Sequence, residues 1–399
     1  MKLSIILPAY NEGSHIEAVI GQVCNARKTI VDNSDFDDVE VVIVNDGSVD
    51  DTKVNIENYV SKNPGSIVFL NHPVNQGYGA ALKTGFEGSS GDYLSFMDAD
   101  GTIDPLSFIS MYQGLKNSSS DMALGLRFGG EHSKMPWIRK MGNYFFASLL
   151  SFLSGESVKD TASGIRLFKR EILSKLYPLP DGLHFTPAMS SKAVHEKVKI
   201  VEVPITYDVR SGESKLHVLK DGYRFLRIIL GTVLLYNPFK IFLYIGIFFI
   251  LASCALLAKP LWVFLGPTDL VFTDYIYRSI GAMYFFVSGC LIILFGILAR
   301  FLVSTFFKLY ESGEVIHKIN KTVQMYERIA AYGFLIFIGG VSINILYFVQ
   351  YTLEKQLHIH WAWLLFAAGM IIIGLQMMIT GLIIKIVKKI KQIIDFPKS

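Results

Sequence analysis

The chain has 399 residues, enough for one large or two ordinary domains, and 51% of them are apolar. Its formal net charge is +4 with no concentrated basic stripe, which argues against a nucleic-acid binder. Three cysteines, Cys24, Cys254 and Cys290, lack the paired spacing of a metal site or disulfide framework.

The apolar residues are unevenly spread. Residues 1–220 carry charges throughout, whereas residues 228–386 are dominated by long apolar runs. A water-soluble unit followed by a membrane unit is expected. The opening "MKLSIILPAYNEG" breaks its apolar run at Pro8, too early for a secretory signal. The soluble unit is therefore expected to stay in the cytoplasm.

In the first half, short apolar runs alternate with helical patterns, as in βαβ units on a mostly parallel sheet. Strands are expected at "LSIILPAYN", "VEVVIVNDGS", "SIVFLNHP" and "DYLSFMDAD", with a further one at "DMALGLRF". Helices are expected between them, notably at "GSHIEAVIGQVCNA" and "QGYGAALKTGFEGS". Next, residues 217–239 set Lys220, Arg224 and Arg227 against an apolar face, the pattern of an amphipathic helix lying along a membrane. Four charge-free spans follow, at about 241–257, 279–299, 329–353 and 361–384, each near the roughly 20 residues that cross a bilayer. Lys and Arg concentrate between the second and third spans and in the tail, while residues 260–277 hold none. By the positive-inside rule, the chain is an integral membrane protein with its soluble domain and both termini cytoplasmic. No span contains an internal Asp, Glu, Lys or Arg, which favours an anchor that also presents lipid over a transporter.

Open α/β sheets bind ligands at the carboxyl ends of their strands. Tyr10, Asn11 and Glu12 follow the first strand, Asp46 and Ser48 the second, and Asp98 and Asp100 the fourth. One such aspartate reads as a cap or turn residue; acidic tips on several strands together point to a site. The glycine-rich "NQGYGAALKTGF" is not a dinucleotide fingerprint, because no G-x-G-x-x-G turn directly follows the first strand. P-loop spacing is absent too. Two carboxylates one residue apart at a loop tip suit a hard divalent cation, Mg²⁺ or Mn²⁺, whose shell is completed by a nucleotide diphosphate.

The motifs "ILPAYNE", "VNDGSVDDT", "NQGYGAALKTG", "DAD", "LGLRF", "DTASGIRLFKRE" and "VRSGESKL" follow one another over two hundred residues. In that order the chain resembles the inverting family-2 glycosyltransferases of the GT-A fold, and within them the polyprenyl-phosphate hexosyl synthases, of which dolichol-phosphate mannose synthase is best known. The resemblance implies a GT-A catalytic domain, Rossmann-like with a mostly parallel sheet, over residues 1–216. An interfacial region at 217–239 and an all-α transmembrane domain of four helices at 240–399 follow. It implies that Pro8, Tyr10, Glu12 and Asp46 hold base and ribose, with Lys83 also at the nucleotide. Asp98 and Asp100 are implied as metal and donor ligands, and Arg210 and Lys215 as the clamp on the diphosphate. Arg127, Arg139 and Ser163 are implied to receive the lipid phosphate, and the planar fork of arginine adds Arg166.

The implied reaction moves one hexose from GDP-mannose, or alternatively UDP-glucose, to a polyprenyl or dolichyl phosphate at the bilayer surface. Relatives commonly read "DADLQ" where this chain has Gly101 and Thr102, which leaves the third metal ligand and the sugar open. The Q-x-x-R-W motif of processive polysaccharide synthases is absent. A non-catalytic membrane partner would be expected to have lost Asp46, Asp98, Asp100 or Arg210, and all four are present. The oligomeric state stays open, a homo-oligomer included.

Overall fold

The structure, a computed structural model, describes residues 1–63, 65, 67–128, 137–208, 218–265, 276–306, 313–354 and 361–394. The chain divides into two compact units, Met1–Val233 and Leu234–Ser399.

In the first unit, apolar residues alternate along β1 (Lys2–Ala9) with the two-residue period of a strand. Leu3, Ile5 and Leu7 enter one core, while Ile6 meets Gly85 on the opposite face. Six further strands are described: β2 (Asp38–Asp46), β3 (Ile67–His72), β4 (Tyr93–Phe96), β5 (Met122–Leu126), β6 (Arg166–Lys169) and β7 (Ile200–Pro204). They form one sheet in the order β3-β2-β1-β4-β6-β5-β7. All neighbours are parallel except β6, which runs antiparallel to both β4 and β5. The mostly parallel expectation holds, and β6 and β7 add strands that the sequence did not suggest.

Helices cover both faces. Ile16 and Ile20 of α1 (Ile16–Asp32), Ile56 of α2 (Thr52–Lys62), and Phe108 and Met111 of α4 (Ser107–Ser118) join the Leu3–Ile5–Leu7 core. Opposite them lies α3 (Tyr78–Glu87), whose Phe86 packs edge-on against Phe168 with centroids 5.6 Å apart. Helix α5 (Trp137–Ser154) and the single turn α6 (Leu173–Leu176) precede α7 (Phe185–His195), whose Phe185 meets Phe96 at 6.2 Å. The unit's last helix is α8 (Val218–Tyr236), which falls within the expected amphipathic stretch. Its Asp221, Phe225, Ile229 and Val233, four residues apart, are buried on one side.

The second unit contains α9 (Pro238–Leu265), α10 (Ile276–Phe306), α11 (Gly313–Glu354) and α12 (Trp361–Ile394). Among the described residues, four helical stretches are long and apolar enough to cross a membrane: Pro238–Trp262, Ile276–Thr305, Arg328–Leu353 and Trp363–Ile390. They match the four expected spans. The first two outrun them at both ends because the helices continue through Lys240, Lys259, Arg278 and Arg300. Glycines set the helix pairing. A Cβ on Gly289 of α10 would lie 2.8 Å from the Gly246 carbonyl of α9, and one on Gly374 of α12 2.7 Å from the Gly333 carbonyl of α11. Small residues at such crossings let backbones approach closely.

Candidate active site

Because β2, β1 and β4 are parallel neighbours, the loops at their carboxyl ends lie side by side. The first two are tied together. Asn11 adopts a left-handed conformation, φ 49°, which its short polar side chain tolerates. Its backbone N–H donates to Ser48 Oγ at 3.0 Å, and its Oδ1 accepts the Val49 N–H at 2.9 Å. The Glu12 N–H donates to Thr52 Oγ1 at 2.8 Å. Gly47 has φ 65°, and a Cβ there would fall 2.3 Å from the Val74 carbonyl carbon, so the turn after β2 requires glycine.

Asp46, 2% exposed, organises the next loop. Its carboxylate accepts the Gln76 and Gly77 N–H groups at 2.9 and 2.8 Å and lies 2.7 Å from His72 Nδ1. His72 Nε2 in turn meets Thr84 Oγ1 at 2.9 Å. The start of α3 is thereby fixed, and Tyr78, its first residue, reaches the paired aspartates.

The Tyr78 hydroxyl donates to Asp98 Oδ1 at 2.8 Å. Burial, then the Asp98 charge, holds this hydroxyl well above the ordinary phenol range, so it remains a donor. On its other side Asp98 faces bare backbone: a Cβ on Gly164 would lie 2.2 Å from Oδ2. Asp100 Oδ1 accepts both the Thr102 hydroxyl at 2.6 Å and the Thr102 N–H at 3.2 Å. Thr102 thus braces the second aspartate within a buried turn.

A third group comes from β5 and the chain before β6. Arg127 grips Asp160 with two donors, Nε at 2.9 Å and Nη2 at 2.8 Å. It also lies over the Tyr207 ring, 5.7 Å from the centroid. Burial disfavours the Arg127 charge, yet the fully buried Asp160 outweighs it and keeps this guanidinium above its ordinary range. Arg166 lies deeper. Fully buried, it donates through Nη2 to the Thr161 and Thr186 carbonyls at 3.0 and 2.8 Å and to Ser190 Oγ at 2.8 Å. Burial pushes its pKa down to about 10, against the pull of Asp160.

These groups surround a cavity of about 770 Å³. Of the residues expected from sequence, Pro8, Tyr10, Glu12, Asp46, Asp98, Asp100 and Arg127 line it. Ser163 and Arg166 do not: Ser163 is fully buried with its hydroxyl donating to the Gly125 carbonyl at 2.7 Å, and Arg166 ties carbonyls together behind the wall. Lys83 is also turned elsewhere, donating to the Leu179 carbonyl at 3.2 Å and pairing with Asp181. Arg210 and Lys215 lie outside the described residues, as does the side chain of Arg139.

Wall residues that sequence reasoning missed are Tyr78, Tyr207 and the inner sides of α5 and α8. Helix α5 buries Asn143, Ala147 and Leu150 while exposing Trp137, Met141, Tyr144 and Phe145. Its 3.6-residue apolar period was the available signal.

The fold and cavity define a class, a mixed-sheet GT-A-like domain with an aspartate pair after its fourth strand. The chain belongs to glycosyl transferase family 2, whose profile matches residues 4–177. It is 32% identical over 225 residues to a dolichyl-phosphate hexose transferase of Haloferax volcanii, covering 55% of this chain and 89% of that one. With the dolichol-phosphate mannosyltransferase of Pyrococcus furiosus it shares 30% identity over 221 residues, 54% of this chain and 59% of the relative. With a dolichyl-phosphate beta-glucosyltransferase of Trichomonas vaginalis it shares 29% over 225 residues, 54% and 66% respectively. The chain thus spans less than two thirds of the length of the latter two relatives.

Proposed function

We propose that this protein transfers one hexose, with inversion, from a nucleotide diphosphate sugar to the phosphate of a polyprenyl or dolichyl lipid. One observation carries the reading. A single cavity has Asp98, Asp100 and Arg127 from strand ends on its sheet side and Arg224 with apolar Ile138, Phe146 and Phe225 from α5 and α8 on its helix side. An anionic, sugar-bearing donor suits the first side, and a phosphate on a hydrocarbon tail suits the second. GDP-mannose is the first choice of donor and UDP-glucose the second, since relatives are named for each sugar.

A phosphate monoester loses its second proton near pH 6, so the acceptor oxygen is already anionic at neutral pH and needs no strong general base. The work left to the protein is holding two anions in line and stabilising the departing diphosphate. Asp46 and the Tyr10–Glu12 loop would hold base and ribose, and Arg210 and Lys215 would clamp the diphosphate. Both carboxylates line the cavity and present only oxygen donors, which fits a hard cation. Mg²⁺ or Mn²⁺ held by these two carboxylates would neutralise charge on the diphosphate. The aromatic face of α5 and the amphipathic α8 have the composition of helices at headgroup level, with the catalytic unit cytoplasmic.

The test is purified full-length protein with Mn²⁺, a polyprenyl phosphate and a panel of labelled nucleotide sugars. Label should enter the organic extract as one hexose per lipid, from one donor above the rest. Absence of lipid-borne label from every donor, or a polymeric product, overturns the reading. Tyr78→Phe keeps the ring and removes one hydrogen bond to a charged group, an interaction of about 1.5–3 kcal/mol. Turnover should fall by roughly 10- to 100-fold with unchanged acceptor KM; a rate equal to wild type would show that Asp98 needs no such brace.

A further inference from the structure

Sequence motifs suggested Arg127, Arg139, Ser163 and Arg166 as a cluster for the lipid phosphate. Ser163 and Arg166 stand behind the cavity wall, so the wall's own cations decide where such a phosphate can sit. Among the described residues, those cations are Arg127 and Arg224. Arg127 is committed to Asp160 through two nitrogens, and its side chain is 12% exposed.

Arg224 differs. It lies one turn beyond Asp221 on α8, and its Nη1 donates to Asp221 Oδ1 at 3.0 Å. Asp221 is 2% exposed while the Arg224 side chain is 46% exposed. A buried carboxylate therefore anchors one corner of a half-exposed guanidinium. Its remaining nitrogens make no hydrogen bond among the described residues. The nearby His184 does not supply a second charge, because burial and then Arg224 itself lower its pKa below the ordinary imidazole value.

Apart from the paired Asp221 and the nearby His184, apolar residues line the cavity next to Arg224. Phe225, the next residue, packs against Phe146 of α5 at 5.7 Å, and Phe146, Phe225, Ile138 and Leu183 all line the cavity. A cation with uncommitted donors beside an aromatic and aliphatic wall fits a phosphate monoester on a hydrocarbon chain better than a polar nucleotide. We infer that Arg224 is a ligand of the acceptor phosphate, presented by α8 from the wall that would receive the first units of the lipid. This rests on the proposed acceptor class.

The experiment compares wild type, Arg224→Ala and Arg224→Lys as full-length protein, titrating a long polyprenyl phosphate at saturating donor. Donor affinity is followed separately by titrating the nucleoside diphosphate with Mn²⁺, and folding by thermal melt. Losing a charge-assisted fork should raise the acceptor KM at least about tenfold in Arg224→Ala. Arg224→Lys should fall between the two, with donor affinity and melting temperature unchanged. An acceptor KM within twofold of wild type, or a loss of donor affinity in its place, overturns the inference while leaving the transfer reading intact. Inorganic phosphate serves as competitor: inhibition that weakens in Arg224→Ala supports a phosphate subsite, and equal inhibition of both proteins counts against it. If the wild type glycosylates no polyprenyl phosphate, the parent reading fails first, and that arm identifies it.

Discussion

Asp98→Asn is expected to lower hexosyl transfer by about 10³-fold while the melting temperature stays within about 2 °C of wild type. The substitution keeps the shape and the Oδ1 acceptor that Tyr78 occupies at 2.8 Å, so the turn after β4 retains its brace. The negative charge is what disappears. On another side the Gly164 backbone packs closely, an added Cβ there lying 2.2 Å from Oδ2. Restoring the lost charge from a neighbour would require moving the wall. Initial rates with labelled donor, a melt and a Mn²⁺ titration in the presence of nucleoside diphosphate separate these effects. A rate within tenfold of wild type would sink the assignment of Asp98 to the reacting end of the cavity.

The largest expected effect on stability comes from Asp160. This fully buried carboxylate accepts from Arg127 Nε and Nη2 and also receives the Ala162 N–H at 3.2 Å. It is also the first charge supporting Arg166, whose pKa burial has already pushed down to about 10. Two buried guanidinium groups thus depend on one carboxylate. Removing one partner of a buried pair costs about 3–5 kcal/mol, because the remaining charge is stranded. Asp160→Ala should therefore lower the melting temperature by roughly 10 °C, taking about 2–4 °C per kcal/mol for a domain of this size. Arg127→Met added to Asp160→Ala should recover part of the loss, since one stranded charge goes with it. A double variant no more stable than the single would show that Arg166, not Arg127, carries the penalty.

The soluble half was legible wherever hydrophobic period and loop chemistry agreed. β1, β2 and β4 each end in the polar residues that line the cavity, and all three were visible as apolar runs broken by Tyr10, Asp46 and Asp98. β6 and β7 were not. "RLFK" is four residues bounded by charges, and "IVEVP" follows a charged run, so neither shows an alternation long enough to separate strand from helix. The membrane spans were plain because twenty apolar residues have few other fates.

At the site, spacing alone did not separate an arginine facing a cavity from one binding carbonyls inside the protein. Arg166 and Arg224 show the two outcomes. Arg166 sits between Ile165 and Leu167 in a motif, looks like a phosphate ligand, and is fully buried. Arg224 looked like one of three cations on an amphipathic helix, and packing of α8 against α5, distant in sequence, is what brings it to the cavity that Arg127 also lines. Such proximity is created by topology rather than by local pattern.

The direction of β6 has a wider consequence. Entering the sheet against the grain, it begins at the same end where β4 finishes, so Arg166 pairs with Phe96 and Gly164 abuts Asp98. Changes in residues 127–165 therefore reach both ends of the cavity at once, through Gly164 beside Asp98 and through the Arg127–Asp160 pair. A transplant of that stretch from a relative with a different carrier should shift the donor KM together with carrier preference.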